Sequence, residues 1–539
     1  MALPLCIIAI MALSCVFFNR VSSKLGIPAL LAFILLGMFF GIDGVVKIKF
    51  GDYAFSEQLC SVALIFIMFY GGFGTKWQEA KPVAVPAILL STLGVVLTAA
   101  FTGLFCHYVM GFGWLEGMLI GSVLGSTDAA SVFSILRSKK LGLKFHTDSL
   151  LEVESGSNDP CAYMLTAVVL SLMEGGASGG EIARMILAQI AYGLLCGVGI
   201  AFAALWMLQR FKFSTDGFDA VFVLAVAVLS YALPSLIGGN GYLSAYLVGI
   251  ILGNNPIKNK KSLVSFFDGV TGLMQIVIFF LLGLLSYPSR MQPFLLPALA
   301  IALFLSFAAR PLTVFLLLTP LRCPIRQQLL VSWAGLRGAS SIVFAIMATV
   351  GSAYTEENLF HIVFCIVLLS VAFSGTLIPA VARLLRMIDT SGNVMKTFND
   401  YSEETEVQLV QVEIDGDHPW LDRPVQELEL PHDMLLVVLA RGGEILIPNG
   451  QTVLRLGDTA VLSAPAYRGN LDLALTELTV RPGDSYCSKQ ISELRRRPNS
   501  LIVMVKRSGE RIIPNGQTLL LAGDVLVICA ASAQGRSAG

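Results

Sequence analysis

Long apolar runs recur through the first 386 residues of this chain, and they leave few folds open to it. Thirteen runs are long enough, or nearly so, to cross a lipid bilayer. They occupy residues 3–19, 27–41, 59–74, 84–109, 114–136, 149–173, 182–209, 217–236, 242–253, 263–286, 292–319, 328–350 and 359–385. Only 14% of the residues are charged, against about 25% in an average soluble protein. We therefore predict an all-α polytopic membrane domain with about thirteen transmembrane helices.

Basic residues in the loops between these runs predict how the chain is oriented. Lysine and arginine concentrate in every second loop, whereas the opposite loops hold only Lys47, Lys49, Arg184 and Arg290. The positive-inside rule then places the N-terminus outside and the C-terminal tail in the cytoplasm. The first run lacks a basic segment before it, so we interpret it as a retained span and not as a cleaved signal.

Three ionisable residues stand out inside apolar runs: Asp128, Asp159 and Arg337. A charge at the centre of a membrane helix costs at least about 2.5–3.5 kcal/mol, so such residues usually have a partner or a function. Three of them on three separate spans indicate an ion pathway. The scattered cysteines and histidines form no metal site, and the zero net charge gives no sign of a nucleic-acid partner.

The segment around Asp159 predicts a cation site. In a helix, residues four positions apart share a face, so Glu154 lies over Asn158 and Ser155 lies over Asp159. Asp159 and Ser155 would supply hard oxygens to the ion, while Glu154 would hold Asn158. The alternative is a polar seam between helices that only stabilises the bundle.

Glycines accompany the other two charges and predict two broken helices. Gly125 precedes Thr127 and Asp128, and Gly335 and Gly338 flank Arg337. If the first six and last six spans form inverted repeats, both breaks fall in the fifth span of their half, as in many secondary transporters. Asp128 would support the ion site there, or it would cap the N-terminus of the broken helix.

Arg337 keeps its charge in a membrane and so needs a carboxylate partner. We expect Glu154 to be that partner, with Asp128 as the alternative. Asp159 would then be free to exchange ions. Burial favours its protonated form and a bound cation favours its carboxylate, so proton and cation compete for one site. One charge exchanged for another moves no net charge, so the membrane voltage would not drive the exchange.

These residues resemble the motifs of the NhaP-type bacterial monovalent cation/proton antiporter family. The matching strings are Gly125-Ser-Thr-Asp-Ala-Ala130, Glu152-Val-Glu-Ser-Gly-Ser-Asn-Asp-Pro160, Phe267-Asp-Gly269 and Gly335-Leu-Arg-Gly-Ala339. The resemblance implies thirteen helices, a homodimer in the bacterial plasma membrane, a core domain that moves against a dimerisation domain, and electroneutral exchange. It also implies that Asp159 carries the ion, that Thr127 and Asp128 form an unwound crossing, and that Glu154 pairs with Arg337.

The chain departs from the family pattern at two places along the expected pathway. Tyr70 stands where relatives often have an acid before Gly-Gly, and Ser340-Ser341 stands where many have Val-Pro. Both changes bear on which ion is preferred.

The chain changes character after Arg386. A polar linker is predicted at residues 387–405, after the membrane domain at 1–386. The segment from Leu435 to Gln451 then returns 66 positions later, from Leu501 to Gln517. Each copy is predicted to form a strand, a tight turn, a second strand, a Pro-Asn-Gly turn and then a pair of strands around Gly-Asp. A short helix is predicted before each copy. We predict two α/β modules, at 406–466 and 467–533.

These modules resemble the TrkA-C domain (the regulator-of-conductance C-terminal domain) of potassium channels and transporters. The resemblance implies that the tail binds a small regulatory ligand, in some relatives a nucleotide, although the tail has no Gly-rich dinucleotide fingerprint. No cofactor is expected otherwise.

The sequence therefore predicts a transporter and not an enzyme: a K⁺/H⁺ antiporter regulated by its tail. A Na⁺/H⁺ antiporter is the alternative within the same class. An ion-coupled symporter for an organic solute and a ligand-gated channel are the alternatives from other classes.

Overall fold

The computed structural model describes residues 9–18, 29–128, 132, 136, 141–175, 178–211, 217–257, 259–351, 358–389, 407–416, 418–431, 434–442, 444–465, 473–482, 484, 486–494, 500–507, 510–512 and 514–531. The chain divides into two compact units, Met1–Tyr401 and Ser402–Gly539. The first contains the apolar runs and the second contains the repeated tail.

The first unit is helical. In chain order its helices are α1 (Ala9–Phe18), α2 (Ala29–Phe40), α3 (Tyr53–Gly74), α4 (Trp77–Tyr108), α5 (Trp114–Val123), α6 (Thr147–Met173), α7 (Gly179–Arg210), α8 (Phe218–Leu236), α9 (Gly241–Gly253), α10 (Lys260–Leu285), α11 (Gln292–Leu318), α12 (Ile325–Trp333), α13 (Ala339–Val350) and α14 (Asn358–Leu384). Within the described residues, seven of these are long and apolar enough to cross a membrane: α3, α4, α7, α8, α10, α11 and α14.

All thirteen predicted runs contain helix. Five further apolar helices are shorter (α1, α2, α5, α9 and α13), and α6 spans 27 residues but carries several acidic side chains. A membrane domain is therefore confirmed. Thirteen crossings arranged as inverted repeats remain a prediction.

Two non-helical breaks occur at the positions where the glycine residues predicted broken helices. Helix α5 ends at Val123, and residues 126–128 have no regular structure. Residues 335–338 separate α12 from α13 in the same way. The alternative in which Asp128 caps a following helix falls on residues 129–131, which lie outside the described residues.

Three of the long helices contain a π-helical turn. These turns are Leu90–Gly94 in α4, Leu305–Ala309 in α11 and Ser370–Gly375 in α14. A π turn inserts one residue into the helical ladder, and such turns are frequent at functional sites. The turn in α11 ends one residue before Arg310, and the turn in α14 begins at Ser370.

Glycines allow several helices to pack backbone against backbone. Gly37 of α2 lies directly against Gly283 of α10, and a Cβ on Gly249 of α9 would collide with the carbonyl oxygen of Phe69 in α3. Small residues at such contacts are typical of membrane helices, which associate through close van der Waals packing.

A two-stranded sheet joins two distant parts of the first unit. Strand β1 (Gly142–Leu143) lies just before α6, and strand β2 (Ile388–Asp389) lies just after α14. They pair antiparallel, and the Lys144 amide donates to the Met387 carbonyl over 2.9 Å. The predicted linker is therefore ordered at its beginning, whereas residues 390–406 lie outside the described residues.

The second unit contains two four-stranded antiparallel sheets of the same topology. The first comprises β3 (Val407–Glu413), β4 (Leu435–Arg441), β5 (Glu444–Leu446) and β6 (Thr459–Pro465), in the order β3-β6-β4-β5. The second comprises β7 (Leu473–Thr479), β8 (Ser500–Arg507), β9 (Glu510–Ile512) and β10 (Val525–Ala531), in the order β7-β10-β8-β9. The expected short helices are 3₁₀ turns at Val425–Glu427 and Ile491–Glu493.

The predicted strand pair around each Gly-Asp is wrong. A single strand follows the Gly-Asp turn in each module, and the fourth strand of the sheet comes from the start of the module. The aspartate explains the difference, because its carboxylate holds a turn. Asp458 accepts the Arg455 amide at 2.8 Å and two guanidinium hydrogen bonds from Arg441, each 2.7 Å long.

The second module repeats this contact between Asp524 and Arg507. In both modules the hydrogen bonds from the arginine lower the pKa of the aspartate below its usual value. Each aspartate is 1% exposed, so each pair is a fixed part of the module.

Candidate cation site

Asp159 lies in the middle of α6 and is 3% exposed. Its carboxylate accepts two hydrogen bonds, one from the Ser126 hydroxyl and one from the Ser340 hydroxyl, the latter 2.7 Å long. Ser126 belongs to the first break and Ser340 to the first turn of α13. Three separate parts of the chain therefore meet at one carboxylate.

The two breaks cross in direct contact. The Asp128 amide donates to the Leu336 carbonyl over 2.8 Å, backbone to backbone. Gly338 lies so close to the Asp128 side chain that a Cβ there would overlap it. The predicted unwound crossing is thus seen between residues 126–128 and 335–338.

Thr127 connects the first break to α6. Its carbonyl accepts the Ser155 hydroxyl at 2.9 Å, and its own hydroxyl accepts the Asn158 side-chain amide at 2.6 Å. Ser155, one helical turn before Asp159, thus contacts the first break, and its role as an ion ligand stays a prediction. The Asn158 Oδ1 atom is buried and accepts no hydrogen bond from the described residues, so one amide oxygen next to Asp159 is still available.

Glu154 forms an ion pair with Arg310, and both side chains are buried. This corrects the predicted pairing of Glu154 with Arg337, and it also shows that Glu154 does not hold Asn158. Arg310 follows the π turn of α11, and Gly335 leaves room for its guanidinium, because a Cβ there would lie 2.8 Å from Nε. Sequence reasoning missed Arg310, although its position inside the apolar run 292–319 was the same signal that identified Arg337.

Arg337 instead holds the crossing together. Its side chain donates to the Ser126 carbonyl at 2.6 Å, and its backbone amide donates to the Ser370 hydroxyl at 3.0 Å. The Arg337 side chain is completely buried. The Ser126 carbonyl, released by the break of a helix, is thus a hydrogen-bond acceptor for the guanidinium group.

The electrostatic difference between the two buried acids of α6 defines the site. Glu154 is neutralised by a guanidinium. Within the described residues, Asp159 receives hydrogen bonds only from neutral hydroxyls. Its negative charge therefore has no fixed counterion among the residues that the structure describes, and a proton or a small cation can fill that role. No group of three His, Cys, Asp or Glu side chains able to hold a resident metal ion occurs among the described residues.

Comparison with known proteins agrees with this arrangement. The model of the transmembrane sodium/hydrogen exchanger family matches residues 8–384. The chain belongs to that family. The TrkA-C domain model matches residues 409–466 and 475–538, so the second unit consists of two TrkA-C domains.

Two curated relatives match most of the chain. The K(+)/H(+) antiporter NhaP of Alkalimonas amylolytica is 34% identical over 464 residues, covering 85% of this chain and 81% of the relative. The K(+)/H(+) antiporter NhaP2 of Shewanella sp. (strain ANA-3) is 33% identical, covering 84% and 79%. A more distant relative, the Na(+)/H(+) antiporter NhaS2 of Synechocystis sp., is 24% identical over 61% of this chain and 62% of its own.

A solved structure shares the membrane fold. The sodium proton antiporter MjNhaP1 from Methanocaldococcus jannaschii superposes with a TM-score of 0.61 and 24% identity, covering 70% of this chain and 100% of its own.

Proposed function

We propose that this protein exchanges a monovalent cation, K⁺ in preference to Na⁺, for H⁺ across the bacterial plasma membrane, and that Asp159 carries both ions. The observation behind the proposal is the state of Asp159: a buried carboxylate held by two serine hydroxyls and, in the described part of the chain, by no cationic side chain. A buried charge in that position is stable only when it is protonated or has an ion bound.

The geometry makes a proton and a cation compete for the Asp159 carboxylate. When the proton binds, the Asp159 carboxyl is neutral and the hydroxyls of Ser126 and Ser340 remain as its neighbours. When a cation binds, these hydroxyls can turn their oxygens toward it, and Asn158 Oδ1 can add an amide oxygen. Each ion excludes the other because both neutralise the same carboxylate. The Glu154–Arg310 pair keeps its own charge balanced throughout, so one positive charge moves in each direction.

The preference for K⁺ rests on the relatives. Those named K(+)/H(+) antiporters are 33–34% identical over most of the chain, whereas the relative named a Na(+)/H(+) antiporter is 24% identical over less of it. The Na⁺/H⁺ antiporter remains the second candidate. Packing of two serines directly on Asp159 favours a small ion over an organic solute, so symport of such a solute has less support.

The finer architecture is also proposed. Thirteen crossings with an outward N-terminus and a cytoplasmic tail fit the loop charges. Inverted repeats are supported by the π turns at Leu90–Gly94 and Leu305–Ala309, because each is followed four residues later by a threonine, and Thr98 and Thr313 hydrogen-bond to each other at 3.3 Å. We further propose a homodimer with a membrane domain at 1–386, and a tail (modules at 406–466 and 467–533) that binds a small regulatory ligand.

The test is proton flux in proteoliposomes with an internal pH dye, comparing K⁺ and Na⁺ gradients. Wild-type protein should exchange protons for K⁺ at lower concentrations than for Na⁺, and Asp159→Asn should abolish exchange. Asp52→Asn is the matched control, because Asp52 is an exposed helix cap and asparagine caps equally well. Exchange that survives in folded Asp159→Asn protein would refute the proposed carrier, and a stronger response to Na⁺ would select the second candidate.

A further inference from the structure

A basic pocket lies at one end of the membrane unit, where three distant segments meet. Its volume is about 410 Å³, and Lys144, Arg326 and Arg386 line it. Lys144 follows β1, Arg326 begins α12 and Arg386 follows α14. Both the mini-sheet β1–β2 and a hydrogen bond from the Gln327 side chain to the Phe145 carbonyl, 3.1 Å long, hold these segments together.

The three cations are exposed. None of them forms an ion pair or a side-chain hydrogen bond with any described residue, and all three line one cavity. Like charges gathered in this way repel one another unless an anion lies between them. Two of the three are arginines, whose planar guanidinium groups bind phosphate through paired hydrogen bonds.

The pocket also has an apolar side. Phe145 and Ile325 line it and are 55% and 67% exposed. Phe145 and Arg386 have positive backbone φ angles of 59° and 55°, an uncommon conformation for side chains of this size. Basic groups beside exposed apolar side chains match an amphiphile with an anionic head better than they match a simple inorganic ion.

We propose that this pocket binds the phosphate group of an anionic ligand, with Lys144, Arg326 and Arg386 as its donors. The headgroup of an anionic phospholipid is the source that the apolar lining favours, and a soluble phosphate compound would use the same three donors. Such a ligand would clamp the segment that leads into α6, the start of α12 and the exit of α14. The ligand would thereby connect α6, which carries Asp159, and α12, which leads to the second break, to the segment that continues into the tail.

The test uses full-length protein in a neutral detergent. The thermal stability of the protein is measured at increasing concentrations of dihexanoyl phosphatidylglycerol, dihexanoyl phosphatidylcholine or inorganic pyrophosphate. The pocket variant is Lys144→Gln/Arg326→Gln/Arg386→Gln. The matched control, Lys81→Gln/Arg322→Gln/Arg383→Gln, removes the same charge from basic residues outside the pocket lining.

Phosphatidylglycerol should stabilise wild type and the control, and its apparent affinity should fall about fivefold for each pocket charge removed. Stabilisation by pyrophosphate instead would identify a soluble phosphate compound as the source. The proposal is overturned if the pocket and control variants respond alike, or if phosphatidylcholine stabilises wild type as well as phosphatidylglycerol does. Because the readout is binding, this result is independent of whether the chain transports K⁺.

Discussion

Arg310 and Glu154 form an ion pair inside the membrane unit, although they are 156 positions apart in the sequence. Their side chains are 4% and 1% exposed. Each charge is thus balanced by the other, which distinguishes Glu154 from Asp159, the acid that we propose binds the mobile ion.

Glu154→Gln should destabilise the protein strongly, because it leaves the Arg310 charge buried and unpaired. Loss of one partner of a buried pair costs about 3–5 kcal/mol. Melting of the purified protein in detergent measures the effect. The double variant Glu154→Gln/Arg310→Gln should lose less stability than the sum of the losses in the two single variants. Additive losses would show that the two side chains do not interact in the folded protein.

Ser340→Ala should weaken cation binding while exchange persists. The variant removes one of the two hydroxyls on the Asp159 carboxylate, and a hydrogen bond to a charged group is worth about 1.5–3 kcal/mol. We expect the apparent KM for K⁺ to rise by about tenfold. Ser341→Ala is the control, because the buried Ser341 hydroxyl has no hydrogen-bond partner among the described residues. Equal effects of the two variants would contradict the proposed ligand role of Ser340.

Gly338→Ala should abolish exchange, because the added methyl group overlaps the Asp128 side chain where the two breaks cross. The crossing would have to separate to admit it. Gly199→Ala is a suitable comparison, since the space around Gly199 in α7 is open. Fluorescence-detected size exclusion reports folding and proteoliposome flux reports activity. Normal flux in Gly338→Ala would mean that the crossing tolerates a wider spacing than the structure shows.

Asp458→Asn should loosen the first TrkA-C domain and leave the second unchanged. Hydrogen bonds from Arg441 lower the pKa of Asp458 in the folded state. Their contribution is therefore complete above the unfolded pKa of about 3.9 and is lost as the pH falls through the folded pKa. Hydrogen exchange of β4 and β6 at neutral pH should increase in the variant.

Asp524→Asn provides the reciprocal control, because it should affect β8 and β10 alone. Acidification of the wild-type protein below about pH 4 should loosen both domains. Faster exchange in both domains from either single variant would show that the two sheets do not respond separately.

Local patterns predicted much of the site. Asp159 was identifiable because an acid inside an apolar run is costly, and the two breaks were identifiable because glycine interrupts helices at Gly125 and Gly335. The repeated tail was equally visible, since Arg441, Asp458 and their second copies recur at one spacing.

Pairings across the chain were not predictable in this way. Glu154 could have met Arg337 or Arg310, and only the folded arrangement, which brings the Arg310 guanidinium to the Glu154 carboxylate, selects Arg310. Ser126 is an ordinary residue in sequence, and Ser340 stood out only as a departure from the family pattern. Their role depends on where the crossing places their hydroxyls, which is a property of the assembled helices.

The hydrogen bond between the Asp128 amide and the Leu336 carbonyl has a consequence for how the protein responds to substitutions. Both partners belong to the main chain, so a substitution at either position leaves the donor and the acceptor groups in place, except for proline at 128, which has no amide hydrogen. A replacement of the Asp128 peptide by an ester would remove this donor while keeping all side chains. The hydrogen bond between the two breaks is therefore encoded by the backbone, and it does not require a particular side chain at residue 336.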